Sequence, residues 1–248
     1  MQPDERLQRL IDDCYAAFAL YPRPLAMHAS PLRDPVALLK TLSSAPLREL
    51  TGEQIGPYAG YALTTVGDVD DYKHFLPRIL EQAVYEPQWM GTDPPIIAQR
   101  LKRGKWLEWP VNEQAGIRAL FAGAWSQALQ QDPDEEEADS WICGTACLDL
   151  DLEAMMEKWL AAPSINASLQ LANFVQTGAR FVFENDTAER AFWSYVDEVK
   201  IHQMRRWLLG QPVHQLLLTA RGRTPPSRLW LVEKALEGLA DFRPARLQ

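Results

Sequence analysis

From one end of the chain to the other, apolar side chains recur at three- and four-residue spacing between capping residues and Gly or Pro stops. A 3.6-residue period gathers such side chains on one face of a helix, whereas a half-buried strand needs strict alternation. Leu7, Leu10, Ile11, Cys14 and Phe18 make the first stripe, and Tyr21-Pro22-Arg23-Pro24 breaks it. Asp34-Pro35 is a helix start, since Asp caps the orphan amides and Pro tolerates the first helical position. Thr51-Gly52-Glu53-Gln54 has capping-box spacing. Gly67 closes that helix, and Asp68 caps the next, in which Pro77 predicts a kink or a later start.

The same reading continues through Asp93-Pro94 with a stop at Gly104, Asn112 as a cap, and Ser164 as a cap. It then predicts one long helix after Asp186-Thr187 up to Gly210, and two final helices over about 212–220 and 226–240. Phe181-Val182-Phe183 is the only β-like run, too short to found a sheet. The fold class is therefore all-α, with about eleven helices. Helix starts recur roughly every 20 residues, so a pair spans about 40, near the period of HEAT repeats. An α-solenoid-like stack of antiparallel helices, of HEAT or armadillo type, is the preferred arrangement. A compact orthogonal helical bundle is the alternative, because no residue signature repeats at that period.

At 248 residues and 47% hydrophobic content, the chain can bury a sizeable core. It reads as a single all-helical domain over 1–248, with 132–139 as the best candidate for a weak boundary. No apolar run reaches the roughly 20 residues needed to span a bilayer, and Met1 leads into QPDERLQRLIDD rather than a basic and then apolar leader. The expectation is a cytoplasmic protein, with Cys14, Cys143 and Cys147 as free thiols. Neither a membrane nor nucleic acid is an expected partner: the net charge of −8 disfavours phosphate backbones, and the basic C-terminal helices lack interleaved aromatics.

That −8 is a remainder. Residues 131–199 carry 3 basic against 15 acidic side chains, and residues 200–248 carry 9 against 3. An acidic loop, Asp134, Glu135, Glu136 and Glu137 within 132–139, would steer a basic partner. The other dense polar cluster is Asp68, Asp70, Asp71, Lys73, His74 and Arg78. On a helix, Asp70 and Asp71 both face His74, so the three could share a divalent ion if other helices supplied further ligands. The plainer reading gives these acids to the helix cap and dipole. Cys143 and Cys147 lack a second pair for zinc and read as core. There is no Gly-rich phosphate loop, nucleophile elbow or H-E-x-x-H, and no cofactor is indicated. Trp89, between two predicted helices, is a candidate interface anchor, and Trp106 and Trp109 either share that role or plug the core.

The block Tyr58-Ala59-Gly60-Tyr61-Ala62-Leu63-Thr64-Thr65-Val66-Gly67-Asp68-Val69-Asp70-Asp71-Tyr72-Lys73-His74-Phe75-Leu76-Pro77-Arg78-Ile79-Leu80-Glu81 resembles one in a family of uncharacterised bacterial cytoplasmic proteins. Pro22-Arg23-Pro24 and the stretch from Ser30 to Pro35 share the likeness. The resemblance implies a bacterial source and brings no activity, cofactor or site residue. Taken together, these features lead to the expectation of a non-catalytic protein-binding helical module. Its specific form would be an immunity-type inhibitor that blocks a basic partner such as a bacterial toxin. The alternative is a metal-assisted hydrolase or transferase using Asp70, Asp71 and His74.

Overall fold

In the computed structural model, residues 4–86 and 89–242 are described, and they fold as an all-α protein with thirteen α-helices. The described chain divides into two compact units, Met1–Ala124 and Trp125–Gln248. The first unit holds α1 (Glu5–Ala17), α2 (Pro35–Leu42), α3 (Gly52–Tyr61), α4 (Val69–Tyr85), α5 (Pro94–Arg103) and most of α6 (Val111–Ala128). The second holds α7 (Ala138–Cys147), α8 (Leu152–Ala161), α9 (Ile165–Thr177), α10 (Ala179–Phe183), α11 (Glu198–Leu208), α12 (Gln211–Arg221) and α13 (Leu229–Asp241).

The caps fall where local chemistry puts them. The Asp34 carboxylate accepts from the amides of Val36 and Ala37, and Thr51 with Gln54 closes a capping box on α3. Asp68 and Asp71 close another on α4. Three local expectations fail. α4 runs unbroken through Pro77 and α6 starts one residue before Asn112, while Phe181-Val182-Phe183, too short to found a sheet, lies in α10. The single helix expected after Thr187 is instead two short 3-10 turns followed by α11; Ala191, the first residue of the second turn, has a left-handed φ of 48°, which a continuing helix does not allow.

In the first unit, α4 packs on α1 and α3 around Tyr58 and Phe75, whose rings meet edge to face at 4.8 Å. α3 carries Gly52, Gly56 and Gly60 at four-residue spacing, so one side of it has no Cβ atoms. The 3-10 turn Met90–Thr92 lies on that side. A Cβ on Gly56 would stand 2.7 Å from the Trp89 ring, and one on Gly91 would stand 2.4 Å from the Gly60 amide. In the second unit, α9 is a hub, with α7, α10, α12 and α13 packed around it. Trp125, Trp159, Phe174 and Trp193 run through that core with centroid spacings of 4.8, 6.0 and 5.9 Å. Packing of α9 against α13, four helices on, is not the nearest-neighbour contact that a solenoid uses.

Candidate functional site

α4 positions the polar cluster that stood out in the sequence, and most of that cluster turns inward. Asp68 and Asp71 are spent on the cap, with Asp70 beside them in the first turn. Burial pushes the Asp71 carboxyl above the usual range. Lys73 is only 5% exposed. Its Nζ lies 2.8 Å from a Glu113 carboxylate oxygen and donates to the Tyr21 hydroxyl at 2.7 Å. That hydroxyl in turn donates to the other Glu113 oxygen at 2.6 Å. The ammonium also sits over the Tyr21 and Trp109 rings, 4.6 and 4.4 Å from their centroids. Burial lowers the Lys73 pKa, but Glu113 and Tyr21 outweigh it and hold the group above the ordinary lysine value. Lys73 is charged at neutral pH.

His74 completes the fastening, its Nδ1 lying 2.9 Å from the Tyr21 carbonyl. Burial lowers its pKa, so the imidazole is neutral at pH 7, with Nδ1–H as donor to that carbonyl. Arg78 donates to the Leu50 carbonyl at 2.7 Å and to Glu81 at 2.8 Å, and Glu81 accepts from the Tyr15 hydroxyl at 2.6 Å. Among the described residues no group of three or more His, Cys, Asp or Glu side chains converges into a metal-holding set. Asp70, Asp71 and His74 are therefore not brought together with further ligands, as the metal reading requires.

The consequence of these fastenings lies in the chain between α1 and α2. Tyr21 is held by α4 and α6, and Arg23 donates to the Ala45 carbonyl at 2.7 Å. Gly67 N–H donates to the His28 carbonyl, and Ser30 N–H to that of Thr65. Prolines 22, 24 and 31 deny the connection a helix, so its apolar side chains cannot align on one buried stripe. Leu20, Leu25, Leu32 and Val36 stand 90, 96, 90 and 77% exposed. Three large aliphatics bared within one fixed segment, with a fourth at the start of α2, are an unusual display for a folded surface.

The other sequence candidates separate. Trp89 rests against the glycine side of α3 and remains 37% exposed, while Trp106 and Trp109 are buried and plug the core. In the acidic loop, Arg228 pairs with Asp132 at 2.6 Å and with Asp134 at 2.5 Å. Glu136 turns inward, 8% exposed, and accepts from Trp141 Nε1 at 3.3 Å. Burial pushes its pKa up to about 7. Glu135 and Glu137 are exposed. The three cysteines are free and buried. The exposed aliphatics escaped the sequence reading, although loss of helical period in a proline-rich apolar stretch is the signal that could have found them.

Comparison with protein-family models, with curated proteins and with solved structures finds no match. No helix among the described residues is long and apolar enough to cross a membrane.

Proposed function

We propose that this chain is a non-catalytic protein-binding module whose binding face is the connection between α1 and α2. One observation carries the reading: Leu20, Leu25 and Leu32 are bared on a segment that part-buried polar contacts hold in place, and Val36 is bared in the first turn of α2 that follows it. A preorganised apolar surface binds without first losing chain entropy, and Leu25 and Val36 line one groove. Four polar side chains of α4 support the same reading from the other side: Asp71 is in the cap, Lys73 is paired with Glu113, and Arg78 with Glu81. A bacterial, cytoplasmic setting belongs to the proposal, and three unpaired cysteines agree with a reducing compartment.

An immunity-type inhibitor that masks a basic partner is a second, narrower reading. Exposed Glu135 and Glu137 favour it, whereas Asp134 is paired with Arg228 and Glu136 is buried. Photo-crosslinking amino acids placed at Leu20, Leu32 or Glu135 in the native cell separate the two. Capture of one defined protein from Leu20 and Leu32 is the expected result. Capture from Glu135 alone moves the site to the acidic loop, and no discrete product from any position contradicts protein binding.

A further inference from the structure

Beside the bared aliphatics lies a groove of about 390 Å³ between the chain at 25–27 and the flank of α2. Its walls are Leu25, Met27, Pro35, Val36 and Leu39, with Lys40 and Ser43 toward the end of α2. Apolar walls alone would accept any apolar side chain, so the surrounding charge decides the partner. Residues 19–48 hold Arg23, Arg33, Lys40 and Arg48 against one acid, Asp34, in a chain whose total is −8; Arg48 is taken up by Asp12 at 2.8 Å, which leaves Arg23 and Lys40 as the cations next to the groove. Both Asp34 contacts go to the amides that start α2, at 3.0 Å each. Arg23 reaches the Ser43 and Ala45 carbonyls, which places its guanidinium at the groove without neutralising it. Among the described residues neither Arg23 nor Lys40 enters an ion pair.

Such a groove can be filled by an added strand or by a helix laid along it. Strand addition needs an exposed sheet edge, and the described residues contain no strand to offer one. A helix presenting aliphatic side chains at i, i+3, i+4 and i+7 fits an apolar trough, and carboxylates on its flank would meet Lys40 and Arg23. We infer that this groove receives an amphipathic helix of a partner protein, aliphatic on one face and acidic on its flank. The inference rests on the protein-binding reading above and names the partner's chemistry at that face.

The test is a fluorescein-labelled synthetic peptide with a leucine face and a glutamate flank, titrated against the full chain by anisotropy. Its counterpart carries lysine in place of every glutamate. The acidic peptide should bind saturably and about tenfold or more tighter than the lysine peptide. Lys40→Glu should erase that preference, and Val36→Asp should weaken binding about tenfold with an unchanged Tm. Equal binding of the two peptides, or indifference to Val36→Asp, overturns the inference. So does a concentration-dependent dimer abolished by Val36→Asp in the absence of peptide binding, which gives the groove to a second copy. Failure of both peptides removes the groove's assignment only, because Leu20 and Leu32 lie outside its walls and their crosslinks judge the broader reading separately.

Discussion

Lys73 and Glu136 show two opposite fates of a buried charge. Lys73 keeps its charge because Glu113 and Tyr21 surround the ammonium, whereas Glu136 has one indole donor and a second carboxylate oxygen with no hydrogen-bond partner. Lys73→Met leaves the Glu113 carboxylate buried without its counter-charge and with the Tyr21 hydroxyl as donor, a loss of about 3–5 kcal/mol in denaturant unfolding. The Lys73→Met/Glu113→Gln pair should recover part of that loss, and additive costs would show that the two do not interact. For Glu136 the folded pKa of about 7 lies above the ordinary 4.5, so the folded state holds a proton that the unfolded chain releases. Stability should fall as pH rises from about 4.5 to about 7, by a few kcal/mol at most, and level off above that. Glu136→Gln should flatten this slope, and an unchanged slope would remove Glu136 as its source. Neither fate is legible in the sequence: Lys73 and Glu113 are 40 residues apart, and in 132–139 nothing marks which acid turns inward.

Secondary elements were more legible, because their start signals are local. Asp34-Pro35, the Thr51–Gln54 and Asp68–Asp71 boxes and the Ser164 cap each depend on atoms within three residues. Where the backbone departs from the apolar period, the local reading fails, as after Thr187, where two 3-10 turns with Ala191 at a left-handed φ stand in place of one helix. The cap assignment makes a specific forecast. Asp68→Ala should cost about 1 kcal/mol, and Asp68→Asn should cost far less because an amide oxygen caps as well as a carboxylate. Equal losses in the two variants would mean that the Asp68 charge matters beyond the cap. The glycine side of α3 gives a second forecast. Gly56→Ala puts a methyl 2.7 Å from the Trp89 ring, so the turn at 89–92 must shift. Hydrogen exchange of the Thr92 amide, now donated to the Trp89 carbonyl at 2.8 Å, should speed up.

At the scale of the molecule, the charge pattern and the exposed apolar face point to different partners. The sequence showed the charge blocks but not their internal pairing, in which Arg228 takes up Asp132 and Asp134 while Arg190 pairs with Glu198. It also held the bared aliphatics in plain view, yet burial is decided by which helices pack together, and the α1–α2 connection follows no helical period. The two-unit division at Ala124 and Trp125 falls inside α6, where a continuous helix leaves no loop to read. The central claim is that the face between α1 and α2 binds a protein. The most direct measurement compares partner recovery from the native cell by the unaltered chain and by a Leu25→Ser/Leu32→Ser/Val36→Ser variant, with thermal unfolding as the check on folding. These side chains are exposed, so each replacement should change stability by no more than about 0.5 kcal/mol and leave the Tm nearly in place. The expected result is a well-folded variant that loses the partner; a variant that keeps it, while Glu135→Lys/Glu137→Lys loses it, would contradict the account.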